Sequence, residues 1–415
     1  MNPKRALGFI FCTATLDVLA LGMMIPVLPR LILDFQDGDA ATASETIGVF
    51  MTVWGLMQFL CSPLLGSLSD RYGRRPIILI SCLGLGLDYI FMALAPTLGW
   101  LFVGRVLSGI TSATLGTVFA YIADVTPPED RAKSFGLVGG AFGLGFVIGP
   151  ALGGLLGSVD PRLPFWCSAG ACLVNAGFGW FILPESLPPE RRMAFAWKRA
   201  NPLGSLRLLG RHNELWGLAA AGFLGNFAHQ VLPAVFVIYA GYRYGWGPGM
   251  VGLTLAMVGV ASAIAQGLLV GRIIAWLGER WTLIGGMSAG CLGMLIYGLA
   301  PTGYLFWIGV PIMGLWGLAS PASQSLMSRR VGPDEQGQLQ GANTSLMSIA
   351  NIIGPGVFAG TFAYFLKETP SAAWILAAAF LAASAIVAWR ATRPRPDDAP
   401  QAKACRRASR ASAGC

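Results

Sequence analysis

The strongest constraint on this 415-residue chain is a succession of apolar runs, each about as long as a bilayer is thick. A membrane-crossing helix needs about 20 mostly apolar residues. Twelve stretches meet that requirement, at 6–28, 47–68, 77–96, 99–120, 134–156, 165–183, 214–240, 249–271, 282–300, 304–323, 339–365 and 372–389. Gly and Pro interrupt several of them, which membrane helices tolerate. A transmembrane barrel would instead show alternating segments of about ten residues. The chain is therefore predicted to be an all-α membrane protein with twelve transmembrane helices. Charged residues make up only 12% of it, about half the share a soluble domain needs for its water-facing surface.

The net charge of +9 would suggest an acidic partner in a soluble protein. Here its position gives a different reading. Of the 29 Lys and Arg residues, Arg30, Arg162, Arg243 and Lys367 fall in one set of alternate loops. Arg105 lies inside a span, and the other 24 fall in the opposite set and the two termini. Basic residues stay on the cytoplasmic side, so both termini are predicted to be cytoplasmic and no nucleic acid is needed to explain the charge. Lys4 and Arg5 precede the first apolar run, but Asp17 sits within it and no small-residue cleavage site is clear, so it reads as a retained helix. Six of the eight cysteines lie in apolar stretches without metal or disulfide spacing, and no metal site is expected.

The longest polar stretch between spans, 184–213, divides them six and six. The expected organisation is an N-terminal six-helix bundle (1–183), a cytoplasmic linker (184–213), a C-terminal six-helix bundle (214–390) and a disordered basic tail (391–415). The halves match at a single offset of 205 residues. Gly66 pairs with Gly271, Gly73 with Gly278, Arg75 with Arg280, and Gly149-Pro150 with Gly354-Pro355. Six spans per half leave both repeats in one orientation, related by a pseudo-two-fold axis along the membrane normal. Substrate is then expected near the midplane between the halves, reached by alternating access.

Several constellations carry chemistry. Gly66-Ser-Leu-Ser-Asp-Arg-Tyr-Gly-Arg-Arg-Pro76 joins spans two and three on the predicted cytoplasmic side. Gly66 and Gly73 permit a close approach and a sharp turn, and Asp70 has Arg71, Arg74 and Arg75 within reach. Asp124 ends the fourth span, where the helix dipole disfavours a carboxylate, so it is expected to seek Arg74 or Arg75. The expected outcome is a cytoplasmic gate of Asp70, Arg74, Arg75 and Asp124 that closes when the transporter faces outward. Asp17, Asp88 and Arg105 lie at membrane depth, where a charge costs at least about 2.5–3.5 kcal/mol. Such groups face water or a partner. An acid balanced between desolvation and a guanidinium can load and release a proton, so these three are the candidates for proton coupling. Gly143, Gly145, Gly149, Pro150, Gly153 and Gly154 give span five a smooth, kinked face. Gln58, Asn226, His229, Gln230, Phe236 and Asn343 are candidates for substrate contact, and Trp54, Tyr89, Phe119 and Trp316 for an aromatic lining.

These motifs carry a resemblance. The Gly66–Pro76 loop and Gly104–Gly116 resemble the loop and fourth-span signatures of the major facilitator superfamily. Gly143–Gly154 resembles the span-five signature of its drug:proton antiporter branch. Over nearly all of 6–390 the chain resembles the bacterial tetracycline efflux proteins. It does so in DVLALGMMIPVLP around Asp17, LGLDY around Asp88, GRVLSGITSAT, GYRYGW and QGQLQG. The resemblance implies the major facilitator fold in a bacterial cytoplasmic membrane, functioning as a monomer. It implies efflux of a tetracycline in exchange for a proton, with any divalent cation arriving chelated to the drug. The family's functional positions fall on Asp17, Gln58, Asp70, Asp88, Arg105 and Asp124. Two positions depart from the pattern: Ala289 replaces a span-nine carboxylate and Ser262 a span-eight histidine. Export of a different drug or metabolite, or proton-linked uptake, therefore stands beside tetracycline efflux. An enzyme is not expected, since only two His and no nucleophile–base or metal constellation occur. The proton gradient takes the place of a cofactor.

Overall fold

The computed structural model describes residues 3–112, 115–126, 131–193, 207–212, 215–332 and 335–393. The basic linker at 194–206 and the tail from 394 lie outside them. So do Pro128–Asp130 and Pro333-Asp334.

Among the described residues every regular element is helical. The first half contains α1 (Pro3–Met24), α2 (Leu28–Asp34), α3 (Ala40–Tyr72), α4 (Arg74–Ala93), α5 (Leu98–Thr111), α6 (Leu115–Val125), α7 (Arg131–Val159) and α8 (Leu163–Ile182). The second half contains α9 (Arg207–Arg211), α10 (Trp216–His229), α11 (Val231–Tyr244), α12 (Pro248–Ile264), α13 (Val270–Leu299), α14 (Gly303–Trp316), α15 (Ala319–Ser328), α16 (Gln336–Phe365) and α17 (Ala372–Ala391). A π-helical turn, Ala265–Leu269, joins α12 to α13.

Local chemistry sets the boundaries. Asp39 caps α3, its carboxylate accepting from the Ala41 N–H at 3.0 Å. Pro29, Pro164 and Pro248 stand in the first turns of their helices, where an N–H would go unused. Gly73 ends α3 at φ 107° and ψ 159°, and its repeat partner Gly278 breaks α13 at φ 78° and ψ 162°. A shared conformation that side chains disfavour, 205 residues apart, is the clearest structural trace of the repeat.

Among the described residues, eleven helical stretches are long and apolar enough to cross a membrane. The longest, Pro248–Leu299, has 52 residues, over twice what one crossing needs. The turn at Gly278 interrupts it on the side of the loops at Gly73 and Ser328. That side carries most of the basic residues and is called the basic face below. Phe181, Trp276 and Tyr364 are largely exposed on the outer surface, as side chains facing lipid would be.

The halves meet chiefly along two helix pairs, α7 on α12 and α3 on α16, with α11 also touching α2 and α3. Both seams tighten away from the basic face. Ser44 Oγ donates to the Ala359 carbonyl at 3.2 Å, and Thr52 Oγ1 to the Ile352 carbonyl at 2.8 Å. A Cβ added to Gly154 would lie 2.9 Å from the Gly252 Cα. Towards the basic face, the space beside Gly66, Gly139, Gly143, Gly267 and Gly271 is open. One continuous apolar core joins Val27, Leu31 and Phe50 of the first half to Tyr239, Val251 and Phe362 of the second. The state is therefore sealed at the opposite face and open at the basic one.

Candidate functional site

Asp17 projects from α1 into a polar knot inside the first bundle. Asn175 Nδ2 of α8 donates to Asp17 Oδ1 at 3.5 Å. Thr13 Oγ1, one helical turn before Asp17, donates to Asn175 Oδ1 at 3.0 Å. The Cys82 thiol of α4 lies 4.0 Å from the same Asp17 oxygen. Asp17 remains partly exposed, whereas Asn175 is buried.

Asp88 lies one layer away on α4 and is only 2% exposed. Neither carboxylate oxygen meets a protein donor. The charge acting on it is the Arg105 guanidinium of α5, itself 4% exposed. Arg105 stacks over Trp54 of α3, 5.5 Å from the ring centroid. Gly104 lets α5 come this close, because a Cβ there would sit 3.3 Å from Asp88 Oδ1 and collide with Met92. The three ionisable residues thus face partners within their own bundle. An acid on an apolar helix can offset its desolvation in that way without reaching the space between the halves.

The glycine face of α7 is split between two neighbours. Gly145, Gly149 and Gly153 abut Val18, Gly22 and Met23 of α1, so this stripe packs the helix that carries Asp17. Gly154 turns to Gly249 and Gly252 of α12 in the other half, and Gly252 in turn abuts the Pro150 carbonyl. Gly143 touches neither.

A cavity of about 290 Å³ runs from mid-depth towards the basic face. Among the described residues its walls come from the second half, and they include Asn226, His229 and Asn343. The His229 ring lies 5.4 Å from Trp316, giving an aromatic wall. Ser262, Gln266, Ser320 and Gln324 supply further uncharged polar groups. The π-helical turn holds Gln266 against Gly317. Two expectations need correction. Phe236 is 3% exposed and stacks on Phe306 in the core. Gln230 turns to Asn351, donating to its Oδ1 at 2.7 Å, and bridges α10 to α16. Gln58, partly buried on α3, is not among the residues of this wall. An amphipathic helix in a bundle has more inward-facing positions than cavity positions, and polarity alone does not separate them.

At the basic face, Arg74 is the centre of the charged cluster. Its Nη1 pairs with Asp70 Oδ1 at 2.6 Å, and its Nε with Asp124 Oδ2 at 3.3 Å. Ser69 Oγ and Ser186 Oγ complete the cluster. Glu185 accepts from the Arg74 backbone N–H at 2.8 Å and so caps α4. Arg75 does not join. It donates to the Trp180 carbonyl and lies over that ring. Arg71 is exposed and packs on Tyr72. The pairs are made with the basic face open, contrary to a gate that forms only on closure. All their members belong to one bundle, so rocking of the halves need not separate them. The second half has its own version: Glu279 pairs with Arg329 at 2.6 Å and accepts from Ser325 Oγ.

The major facilitator superfamily model matches residues 10–355 and 234–413. The chain belongs to the major facilitator superfamily. It is 40% identical to the tetracycline resistance protein, class C, of Escherichia coli, over 91% of this chain and 95% of that protein. It is 36% identical to the class G protein of Vibrio anguillarum, over 88% and 92%. Among solved structures, the human organic anion transporter MFSD10 superposes with a TM-score of 0.70 at 22% identity, covering 94% of this chain and all of that one. The chain is thus a multi-pass membrane transporter of small molecules and not an enzyme.

Within this superfamily frame, sequence reasoning missed Asn175, Glu185 and the Glu279–Arg329 pair. A lone Asn in an apolar span carries no signal until the neighbouring helix is known. Glu279 and Arg329 were findable, because the 205-residue offset maps Arg74 and Asp124 onto them.

Proposed function

We propose that this transporter exports a tetracycline across a bacterial cytoplasmic membrane in exchange for a proton, by alternating access between two six-helix bundles. The single observation that carries the reading is similarity along nearly the whole chain to six classes of tetracycline resistance protein. The cavity supports it. An uncharged polar wall with the adjoining His229 and Trp316 rings suits a planar, hydroxyl-rich ring system. Any divalent cation travels on the drug as part of the substrate. Twelve crossings, with Pro248–Leu299 counted as two spans meeting at Gly278, put both termini on the cytoplasmic side together with the basic face. The open state is then inward-facing and ready to load. Asp17, Asp88 and Arg105 are the coupling groups, and a monomer contains every part of the pathway.

Export of another amphipathic compound is the second reading. It is favoured by the cavity wall itself, on which His229 is the sole titratable side chain among the described residues.

Inverted membrane vesicles test the proposal. Acidifying the lumen should drive tetracycline uptake by the wild type, and Asp88→Asn should abolish that uptake at unchanged membrane level. No tetracycline movement in the wild type, with uptake of another compound from a panel, would establish the second reading. Uptake that follows the proton gradient would replace export by symport.

A further inference from the structure

Asn175 belongs to none of the motifs that define the pathway, yet it is the closest polar side chain on Asp17 that a bundle helix other than α1 supplies. It is 2% exposed in an apolar span. An amide buried at that depth costs several kcal/mol unless its groups are paired. Both ends of this one are engaged. Its Oδ1 accepts from Thr13 Oγ1 at 3.0 Å, which fixes which end of the amide faces which neighbour. With the oxygen pinned, Nδ2 is left to point at Asp17 Oδ1, 3.5 Å away, and at the Cys82 sulfur, 3.6 Å away.

The surroundings of Asp17 make this one amide matter. The titratable groups that act on it are Cys82 and Tyr89 from α4 and Cys172 from α8. The α7 stripe of Gly145 and Gly149 packs on Val18, Leu19 and Gly22 of α1, the helix of Asp17 itself, and supplies no polar side chain. No cation reaches it: among the described residues Asp17 forms no ion pair, whereas Asp88 has Arg105 beside it. The two acids therefore sit in different electrostatic settings, one beside a fixed positive charge and the other beside a neutral dipole.

We infer that Asn175 is a positioning residue for Asp17. It holds one carboxylate oxygen with an uncharged donor, oriented by Thr13, and leaves Oδ2 to exchange the proton. This rests on the proposed role of Asp17 in coupling. A neutral donor fits a group that must change charge in every cycle. It can stay in place beside both the acid and the anion, and it favours the anion less strongly than a guanidinium does. The arrangement also ties α1, α4 and α8 together at the level of the acid. The orientation of Asp17 is thus set from inside the bundle and survives rocking of the halves.

The experiment measures proton-driven tetracycline uptake into inverted vesicles, and proton-independent drug exchange in the same vesicles. The variants are Asn175→Leu, Asn175→Gln and Thr13→Val, with membrane level followed by immunoblot. For Asn175→Leu, the maximal rate of driven uptake should fall about tenfold or more, the loss expected when one donor to a charged acceptor is removed. KM and drug exchange should be unchanged. Asn175→Gln keeps the amide and should recover part of the rate, and Thr13→Val should lie between it and Asn175→Leu. The inference is overturned if Asn175→Leu keeps the wild-type rate. It is also overturned if driven uptake and exchange fall together, or if Gln does no better than Leu, since each marks a role in packing alone. Wild-type vesicles that move no tetracycline would instead refute the function proposed above.

Discussion

Arg74 and Glu279 stand at matching positions of the two halves, 205 residues apart, and carry opposite charges. Each closes the same ion pair. Arg74 reaches Asp124, and Glu279 reaches Arg329, which is also 205 residues beyond Asp124. The repeat has kept the bridge from the loop to the end of the fourth span of each half while exchanging its ends.

The two bridges should differ in strength. The Arg74 side chain is 12% exposed and serves two acids, whereas that of Arg329 is 73% exposed. Arg329→Ala is expected to cost less than about 1 kcal/mol. Arg74→Ala is expected to cost about 1.5–3 kcal/mol, because it leaves Asp70 and Asp124 without their cation. Thermal unfolding in detergent should rank them in that order. The double exchange Glu279→Arg with Arg329→Glu should restore wild-type stability if charge pairing is what matters there.

Gly73 and Gly278 share a backbone region, essentially reserved to glycine, that costs other residues about 1–3 kcal/mol each. Their surroundings are unequal. A Cβ at Gly73 would run into the Glu185 carboxylate, while the space at Gly278 is open. Gly278→Ala should therefore pay the backbone cost alone. Gly73→Ala should pay more and also loosen the Glu185 cap on α4. Melting temperatures of the two variants check the difference, and equal values would refute it.

The seal at the opposite face depends on bare backbone contact between α7 and α12. Gly154→Val forces extra atoms into a space that has none to give. Overpacking of this kind costs about 1–3 kcal/mol, which moves the balance of states about 5- to 150-fold towards opening on that face. A cysteine at Ser44, buried against Ala359 in the present state, should be labelled faster by an impermeant reagent in the Gly154→Val background.

Trp316 is the large flat side chain on the cavity wall. Trp316→Ala should weaken tetracycline binding about tenfold, the loss of a stacking contact and its buried area, while Phe236→Ala should act on stability and leave the dissociation constant alone. Equilibrium binding to purified protein separates the two.

The all-helical membrane fold and the basic cluster were legible because each leaves a signal in one dimension: runs of apolar residues, or charges bunched within a few positions. The structure of the polar interior was not. Gln230 and Phe236 look like lining residues on their helices, and it takes the placement of α16 and α14 to turn them into a crosslink and a core ring. Asn175 is the opposite case, a residue with no local distinction that matters through Thr13 and Asp17, over 150 positions away. Arg75 was misjudged because neighbouring arginines point to different sides of a helix start, and only Arg74 turns to the acids.

The meeting of Gly154 with Gly252 and Pro150 has a mechanical corollary. Surfaces joined by interlocked side chains must disengage tooth by tooth before they part. Here two nearly smooth rods lie against each other, so the bundles can slide and tilt like a plain bearing. Little has to be unpicked each time a cargo passes.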